Sequence, residues 1–115
     1  MQILFVDDDS GRFASFVKNA RPEDTVYHAQ RYTEAIIYFK YHFDAIFLDN
    51  DLGDPDGEGI DIVKFITSHG LFKETSFFIH SMNSICNKRM FDLLNDLGYS
   101  VERVPGVWKK GYKVV

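Results

Sequence analysis

The chain has 115 residues, of which 45% are hydrophobic and 26% charged, the length and composition of one ordinary globular domain. Its net charge of −4 argues against general nucleic-acid binding. No apolar stretch approaches the ~20 residues of a membrane helix, and the amino terminus lacks the basic lead of a signal peptide. One cysteine, Cys86, excludes an internal disulfide and suits a reducing compartment. We therefore expect a single cytoplasmic domain over residues 1–115, without a membrane partner.

Five short apolar segments alternate with four helical patterns along the chain. The predicted strands are Ile3–Val6, Thr25–His28, Ala45–Leu48, Ser76–Ile79 and Val101–Val104. Apolar residues at helical spacing predict helices from a cap at Asp9 or Ser10 to Ala20, and over Thr33–His42, Ile60–Ser68 and Ser84–Leu97. This alternation predicts a three-layer, doubly wound α/β fold with a five-stranded parallel sheet. A basic and aromatic tail, at about residues 105–115, is left unassigned.

Carboxylates follow two of the predicted strands directly. Asp7 and Asp8 come after the first strand, and Asp49 and Asp51 after the third. Because ligands of parallel sheets bind beyond the carboxyl ends of the strands, we expect these acids to lie together. Two such charges about 4 Å apart cost about 4 kcal/mol at an effective dielectric constant of 20, and a divalent cation such as Mg²⁺ offsets that cost. The sequence therefore predicts one metal site, formed by Asp7, Asp8 and Asp49 with Asp51 beside them.

The remaining acids of the same loop have a simpler interpretation. Asp54, Asp56 and Glu58 are expected to be solvated or to favour the start of the next helix, whose dipole attracts negative charge. A calcium-binding EF-hand loop does not fit. Counted from Asp49, Gly53, Asp54 and Ile60 occupy positions 5, 6 and 12, where that loop needs an oxygen ligand, a glycine and a glutamate.

Polar residues also follow the fourth predicted strand. His80 is suited to general acid or base catalysis, and Ser81 and Asn83 to hydrogen bonding with phosphate oxygens. A purely structural role is equally open, with His80 holding a loop and the other two capping the next helix. The other histidines show no metal-ligand spacing and are expected at the surface: His28, His42 and His69.

These segments resemble the receiver domain of two-component response regulators over nearly the whole chain. The resemblance rests on FVDDD, on FLDND and on the strand that ends just before His80 and Ser81. It implies the flavodoxin-like topology of receivers, with Mg²⁺ held by Asp7, Asp8 and Asp49. It further implies that Asp49 accepts a phosphoryl group, which Ser81 senses.

The chain departs from the receiver pattern at the end of the last strand. Receivers carry a lysine just before a proline there, whereas this sequence has Val104 before Pro105. The nearest lysines are Lys109 and Lys110. Either one of them turns back towards Asp49, or the tail is solvated, which is the expectation we favour.

A narrower resemblance is to the cyclic-phosphate-processing receiver-like domains. LDNDLG, GIDIVKFI and FIHSMNSICNKRM are similar to that group's LDHDLG, glycine-led helix, and HSxN before a helix carrying a methionine. The matching positions are Leu48, Asp49, Asp51, Leu52, Gly53, Gly59, His80, Ser81, Asn83 and Met90. Asn50 stands where the group has histidine, and in place of its early Arg-Pro only Arg12 lies nearby.

The resemblance implies binding or hydrolysis of cyclic phosphates or related phosphoesters. Metal ligation by Asp7, Asp8, Asp49 and Asp51 would be combined with catalytic roles for Asp49, His80, Ser81 and Asn83. Two other functions stay open. One is a phosphoaccepting signalling domain that receives its phosphoryl group from a phosphodonor and contacts a protein partner. The other is a degenerate interaction module without chemistry.

Overall fold

The computed structural model describes residues 1–105, which form nine elements in strict alternation. They are β1 (Gln2–Val6), α1 (Ser10–Asn19), β2 (Thr25–Ala29), α2 (Tyr32–Tyr38), β3 (Ala45–Leu48), α3 (Gly59–Ser68), β4 (Ser76–Ile79), α4 (Ser84–Asp96) and β5 (Ser100–Arg103). Every predicted element is present. The largest difference is α2, which ends at Tyr38 instead of His42. There the Phe39 amide donates to the Ile36 carbonyl three residues earlier, a tightening typical of a final helical turn.

The five strands form one parallel sheet in the order β2-β1-β3-β4-β5. The order reverses between β1 and β3, which creates the switch point where sheets of this kind bind ligands. Val6 is in register with Leu48, and Leu48 with Ile79. The residues that follow these three positions therefore emerge side by side at one edge of the sheet.

Both faces of the sheet are apolar, as the short hydrophobic strands predict. On one face, Leu4, Ile46 and Phe77 belong to a core cluster that also includes buried residues of α2, α3 and α4. On the other face, Phe5 and Phe47 lie against Phe16 of α1, with ring centroids 4.6 and 4.7 Å from it. The arrangement is a three-layer α/β fold of the flavodoxin-like receiver type. Within residues 1–105, no helix has the length and apolar character needed to span a membrane.

Candidate functional site

Three of the four predicted metal ligands meet at the switch point. Each of Asp7, Asp8 and Asp49 offers a carboxylate oxygen, and these oxygens all lie within 4.8 Å of one another. Asp7 and Asp49 are buried, whereas the side chain of Asp8 is 45% exposed. The group is therefore buried on the side of Asp7 and Asp49 and open to solvent on the side of Asp8.

Asp7 is fixed by four hydrogen bonds. Its Oδ1 accepts from the Asp9 amide at 2.8 Å and from Arg12 Nη2 at 2.9 Å. Its Oδ2 accepts from Arg12 Nε at 2.8 Å and lies 3.0 Å from His80 Nε2. Burial by itself would raise the pKa of Asp7, but the hydrogen bonds from His80, Arg12 and the Asp9 amide outweigh burial and hold the pKa well below its usual range. Asp7 is therefore ionised at neutral pH.

Arg12 is the cation of the site, although none of the sequence motifs predicted a role for it. Besides its two bonds to Asp7, its Nη2 lies 3.8 Å from Asp8 Oδ1 and 3.6 Å from Asp49 Oδ2, and its Nη1 lies 3.5 Å from Asp9 Oδ2. The hydrogen bond to Asp7 raises the pKa of Arg12 still further, so the guanidinium is always charged. One positive group therefore partly neutralises four carboxylates.

Local helix geometry explains why Arg12 is there. Asp9 is the N-cap of α1, and its Oδ1 accepts the Arg12 amide at 3.0 Å. Side chains on a helix lean towards its amino terminus, which in α1 adjoins the acids after β1. A sequence signal for Arg12 does exist. The acids after β1 are followed by an N-cap at Asp9, and a basic residue three positions beyond that cap can reach back to them.

Asp49 is the electrostatically costly member of the group. Its side chain is 7% exposed, and its Oδ1 accepts the Asn50 amide at 2.9 Å. Burial, and then the negative charge of Asp7, raise the pKa of Asp49 to about 6, although the charges of His80 and Arg12 act in the opposite direction. An added cation near Asp49 would relieve this cost.

His80 lies behind Asp7 and away from solvent. It is 2% exposed, and its ring stacks on Phe5 with centroids 4.9 Å apart and planes 10° apart. Since Nε2 faces Asp7 Oδ2, the histidine orients that carboxylate from inside the protein. This geometry favours the structural interpretation of His80 over the catalytic one.

Asp51 is not part of the three-carboxylate group and links two loops. Its Oδ1 accepts from Asn50 Nδ2 at 2.9 Å and from Asn83 Nδ2 at 3.3 Å. Asn83 is also the N-cap of α4, where its Oδ1 accepts the Cys86 amide at 3.1 Å. The predicted fourth metal ligand is therefore engaged with two amide side chains on the rim of the site.

Ser81 and its neighbours form a second, mostly buried network. The Ser81 hydroxyl accepts the Asn83 amide at 3.2 Å, and the Ser81 carbonyl accepts from Asn87 Nδ2 at 2.9 Å. Arg103 Nε donates to Asn87 Oδ1 at 2.6 Å. This hydrogen bond directs Arg103 towards α4. Because side chains alternate along a strand, Arg103 does not replace the lysine that receivers carry just before the proline, where this chain has Val104. Lys109 and Lys110 lie outside the described residues.

A close approach of two backbones positions Asp49. The Asn50 carbonyl accepts the Gly59 amide at 2.8 Å, and Asn50 Oδ1 accepts the Ile60 amide at 2.9 Å. A Cβ on Gly59 would overlap the carbonyl oxygen of Asp49. Only glycine permits α3 to begin directly against the end of β3, so Gly59 and Asn50 fix the backbone that carries Asp49.

Three loop acids were expected to be solvated or to favour the start of the next helix. Asp56 is exposed and Glu58 is the N-cap of α3, whereas Asp54 contacts the start of α2 instead. Asp54 accepts the amides of Tyr32 at 3.0 Å and Asp56 at 2.9 Å, and Glu58 accepts the Leu52 amide at 2.6 Å. Both carboxylates thereby hold the loop in shape next to the site.

Of the three histidines expected at the surface, His42 and His69 are exposed, whereas His28 is only partly exposed. His28 is half-buried, since its ring stacks on Phe13 at 4.0 Å. Its Nε2 lies 2.7 Å from the Asp7 carbonyl oxygen. The aromatic packing of α1 on the sheet draws this residue inward.

The fold and the acidic switch point together define a receiver domain of the response-regulator type. Similar solved structures include a CheY-like receiver domain protein from Methanospirillum hungatei JF-1, 20% identical with a TM-score of 0.67, covering 90% of this chain and 81% of that one. They also include the receiver domain of the stress response regulator RcsB from Escherichia coli, 21% identical with a TM-score of 0.70, covering 92% and 81%. The HemR receiver domain from Leptospira biflexa is 25% identical with a TM-score of 0.68, covering 94% and 83%.

The sequence assigns the chain to a particular family among receiver domains. Residues 2–96 match the family model of the cyclic-phosphate processing receiver domain. The chain therefore belongs to that family, and the resemblance predicted from its three motifs is confirmed. No curated protein matches the sequence.

Proposed function

We propose that this domain binds Mg²⁺ or a similar divalent cation through Asp7, Asp8 and Asp49, and that it binds and hydrolyses cyclic phosphates or related phosphoesters there. The observation that carries the proposal is the convergence of three carboxylate oxygens within 4.8 Å at the switch point. Membership of the cyclic-phosphate processing family supports the choice of ligand.

The three carboxylates fit a divalent ion. Two oxygens on one ion lie at most twice the metal–oxygen distance apart, which is about 4.2 Å for Mg²⁺ and about 5 Å for Ca²⁺. All three separations are at most 4.8 Å, which lies inside this span for Ca²⁺ and close to it for Mg²⁺. The raised pKa of Asp49, about 6, also fits, because a nearby cation favours its ionised form.

Arg12 and His80 take distinct supporting roles in this proposal. Both oxygens of Asp7 already accept two hydrogen bonds each, so Asp8 and Asp49 supply the more available oxygens. His80 positions Asp7, as carboxylate-bonded histidines commonly do around metal sites. Arg12 supplies the charge that the receiver lysine would provide, since its fork-shaped guanidinium suits phosphate oxygens.

The reaction needs no oxidant or reductant. A bound divalent cation supplies charge neutralisation and activation of water for attack on phosphorus. One P–O bond forms to water and one ester P–O bond breaks. The proton lost by water ends on the released ring oxygen, leaving a phosphomonoester. In this proposal the side-chain amide of Asn83, on the rim, hydrogen-bonds to the ligand and takes no part in proton transfer.

The test is turnover of adenosine 2′,3′-cyclic phosphate in Mg²⁺, followed by ³¹P NMR, beside intact mass after exposure to a small phosphodonor. We expect hydrolysis that is lost in Asp49→Asn and retained in Asp56→Asn, a matched change on the exposed part of the same loop. A stable gain of one phosphoryl group without hydrolysis would replace the proposal with a phosphoaccepting receiver. Neither turnover nor Mg²⁺ binding would leave a non-catalytic interaction module.

A further inference from the structure

A cavity of about 360 Å³ adjoins the three-carboxylate group on the side of β2. Asp8 lines it and thus belongs both to this cavity and to the proposed metal site. Gln30 and Arg31, which follow β2, form one side, and Leu52 and Pro55 of the β3–α3 loop form the other. The volume is in the range of ~300–1,000 Å³ typical of pockets for small organic ligands, and is more than a metal ion and one phosphate require.

The loop wall of this cavity is already held in place. Asp54, which also lines the cavity, has both carboxylate oxygens engaged by the Tyr32 and Asp56 amides. Leu52 is 4% exposed, and its amide is bound by Glu58. A pre-formed wall lowers the entropic cost of ordering a ligand site.

Arg31 gives the cavity its chemical preference. It occupies the N-cap position of α2, but its side chain makes no capping hydrogen bond. Among the ion pairs formed within residues 1–105, none involves Arg31. Both oxygens of Asp54 already accept backbone amides, and Asp8 would bind the cation. The exposed guanidinium of Arg31 is therefore the charged group of the cavity that can bind an anion.

We propose that the ligand extends from the metal site into this cavity and carries a second phosphate group, which Arg31 binds. The inference rests on the proposed function and names its ligand class, a sugar phosphate with two separate phosphates. The guanidinium matches phosphate oxygens in a bidentate manner, while the exposed ring of Pro55 offers apolar contact to the carbon face of the sugar. Gln30 adds an amide that can hydrogen-bond to sugar hydroxyls.

Calorimetric titration in Mg²⁺ distinguishes this inference from the proposed function. The probes are inorganic phosphate, adenosine 3′-phosphate and adenosine 3′,5′-bisphosphate; neither nucleotide contains a cyclic ester that the site would open. We expect the bisphosphate to bind about tenfold more tightly than the monophosphate, a typical gain for one charge-assisted contact. Arg31→Gln should abolish that preference and leave inorganic phosphate binding unchanged. The control Arg89→Gln, an exposed arginine on α4, should keep it.

The outcomes separate cleanly. The inference is overturned if the unmodified protein binds the two nucleotides with equal affinity, or if the preference for the bisphosphate survives Arg31→Gln. In either case, binding of inorganic phosphate in Mg²⁺ would still support the metal site. Failure of all three probes to bind overturns both. As a second variant, Gln30→Trp places a bulky ring at the rim of the cavity. It should weaken both nucleotides and spare inorganic phosphate, and equal weakening of all three would also count against the inference.

Discussion

Replacing Asp49 with asparagine should stabilise the metal-free domain at neutral pH. The variant keeps the shape of the side chain and an oxygen for the Asn50 amide, but it removes a buried charge next to Asp7. The pKa of Asp49 rises from 3.8 to about 6, and about two units at 1.36 kcal/mol each correspond to roughly 3 kcal/mol. This is the upper limit of the gain in the free energy of unfolding above pH 6.

The pH dependence of this gain has a definite sign. Because the folded-state pKa of Asp49 lies above its unfolded value, the unfolded chain binds fewer protons between about pH 4 and pH 6. The unmodified protein therefore loses stability as pH rises through that window, and the asparagine variant does not. The low pKa of Asp7 works in the opposite direction, with stability lost as pH falls, and it is present in both proteins.

Urea denaturation in EDTA at pH 4 and pH 8 measures the difference. We expect the two proteins to be similar at pH 4 and the variant to be more stable at pH 8. Asp44→Asn is a control for which the opposite result is expected. A hydrogen bond from the Gln2 amide lowers the pKa of Asp44, so this substitution should make the protein less stable at pH 8 relative to pH 4. If the advantage of Asp49→Asn is no greater at pH 8 than at pH 4, the electrostatic description of the site is wrong.

Three further changes probe the support of the site. Arg12→Gln should lower the free energy of unfolding in EDTA by about 2 kcal/mol, because buried Asp7 loses its charged partner. Mg²⁺ should restore part of the lost stability, and urea titrations that show no loss in EDTA would contradict this prediction. Gly59→Ala should cost about 2 kcal/mol or more through overlap with the Asp49 carbonyl, whereas Ser84→Ala on α4 should change thermal stability little. Asn83→Ala should cost about 1 kcal/mol as a lost helix cap, and Asn83→Ser should recover most of it in the same thermal assay.

The positions of the strand-end residues could be predicted because they depend on backbone pattern alone. Short apolar runs place the strands, and parallel register then brings Asp7, Asp49 and His80 to one edge whatever the side chains do. The same logic gave the three-layer fold and the convergence of Asp7, Asp8 and Asp49.

Side-chain direction could not be predicted in the same way. Periodicity assigned Arg12 to a helix but could not show that its guanidinium reaches back to four carboxylates, which depends on where α1 begins. His80 looked equally suited to catalysis and to structure, and its stacking on Phe5 depends on the packing of the sheet face. Asp51 is exposed where Asp49 is buried, and one of its hydrogen bonds comes from Asn83, in a loop distant in sequence.

The most direct test of the metal site is anomalous diffraction from a crystal soaked in Mn²⁺. We predict one strong peak between the carboxylates of Asp8 and Asp49, with oxygens about 2.0–2.6 Å from the ion, and a movement of Arg12 Nη2 away from Asp49, from which it now lies 3.6 Å. An absence of any peak at saturating Mn²⁺, with Arg12 still against Asp7 and Asp49, would contradict the account, because the guanidinium would then be the cation that the site is built to hold.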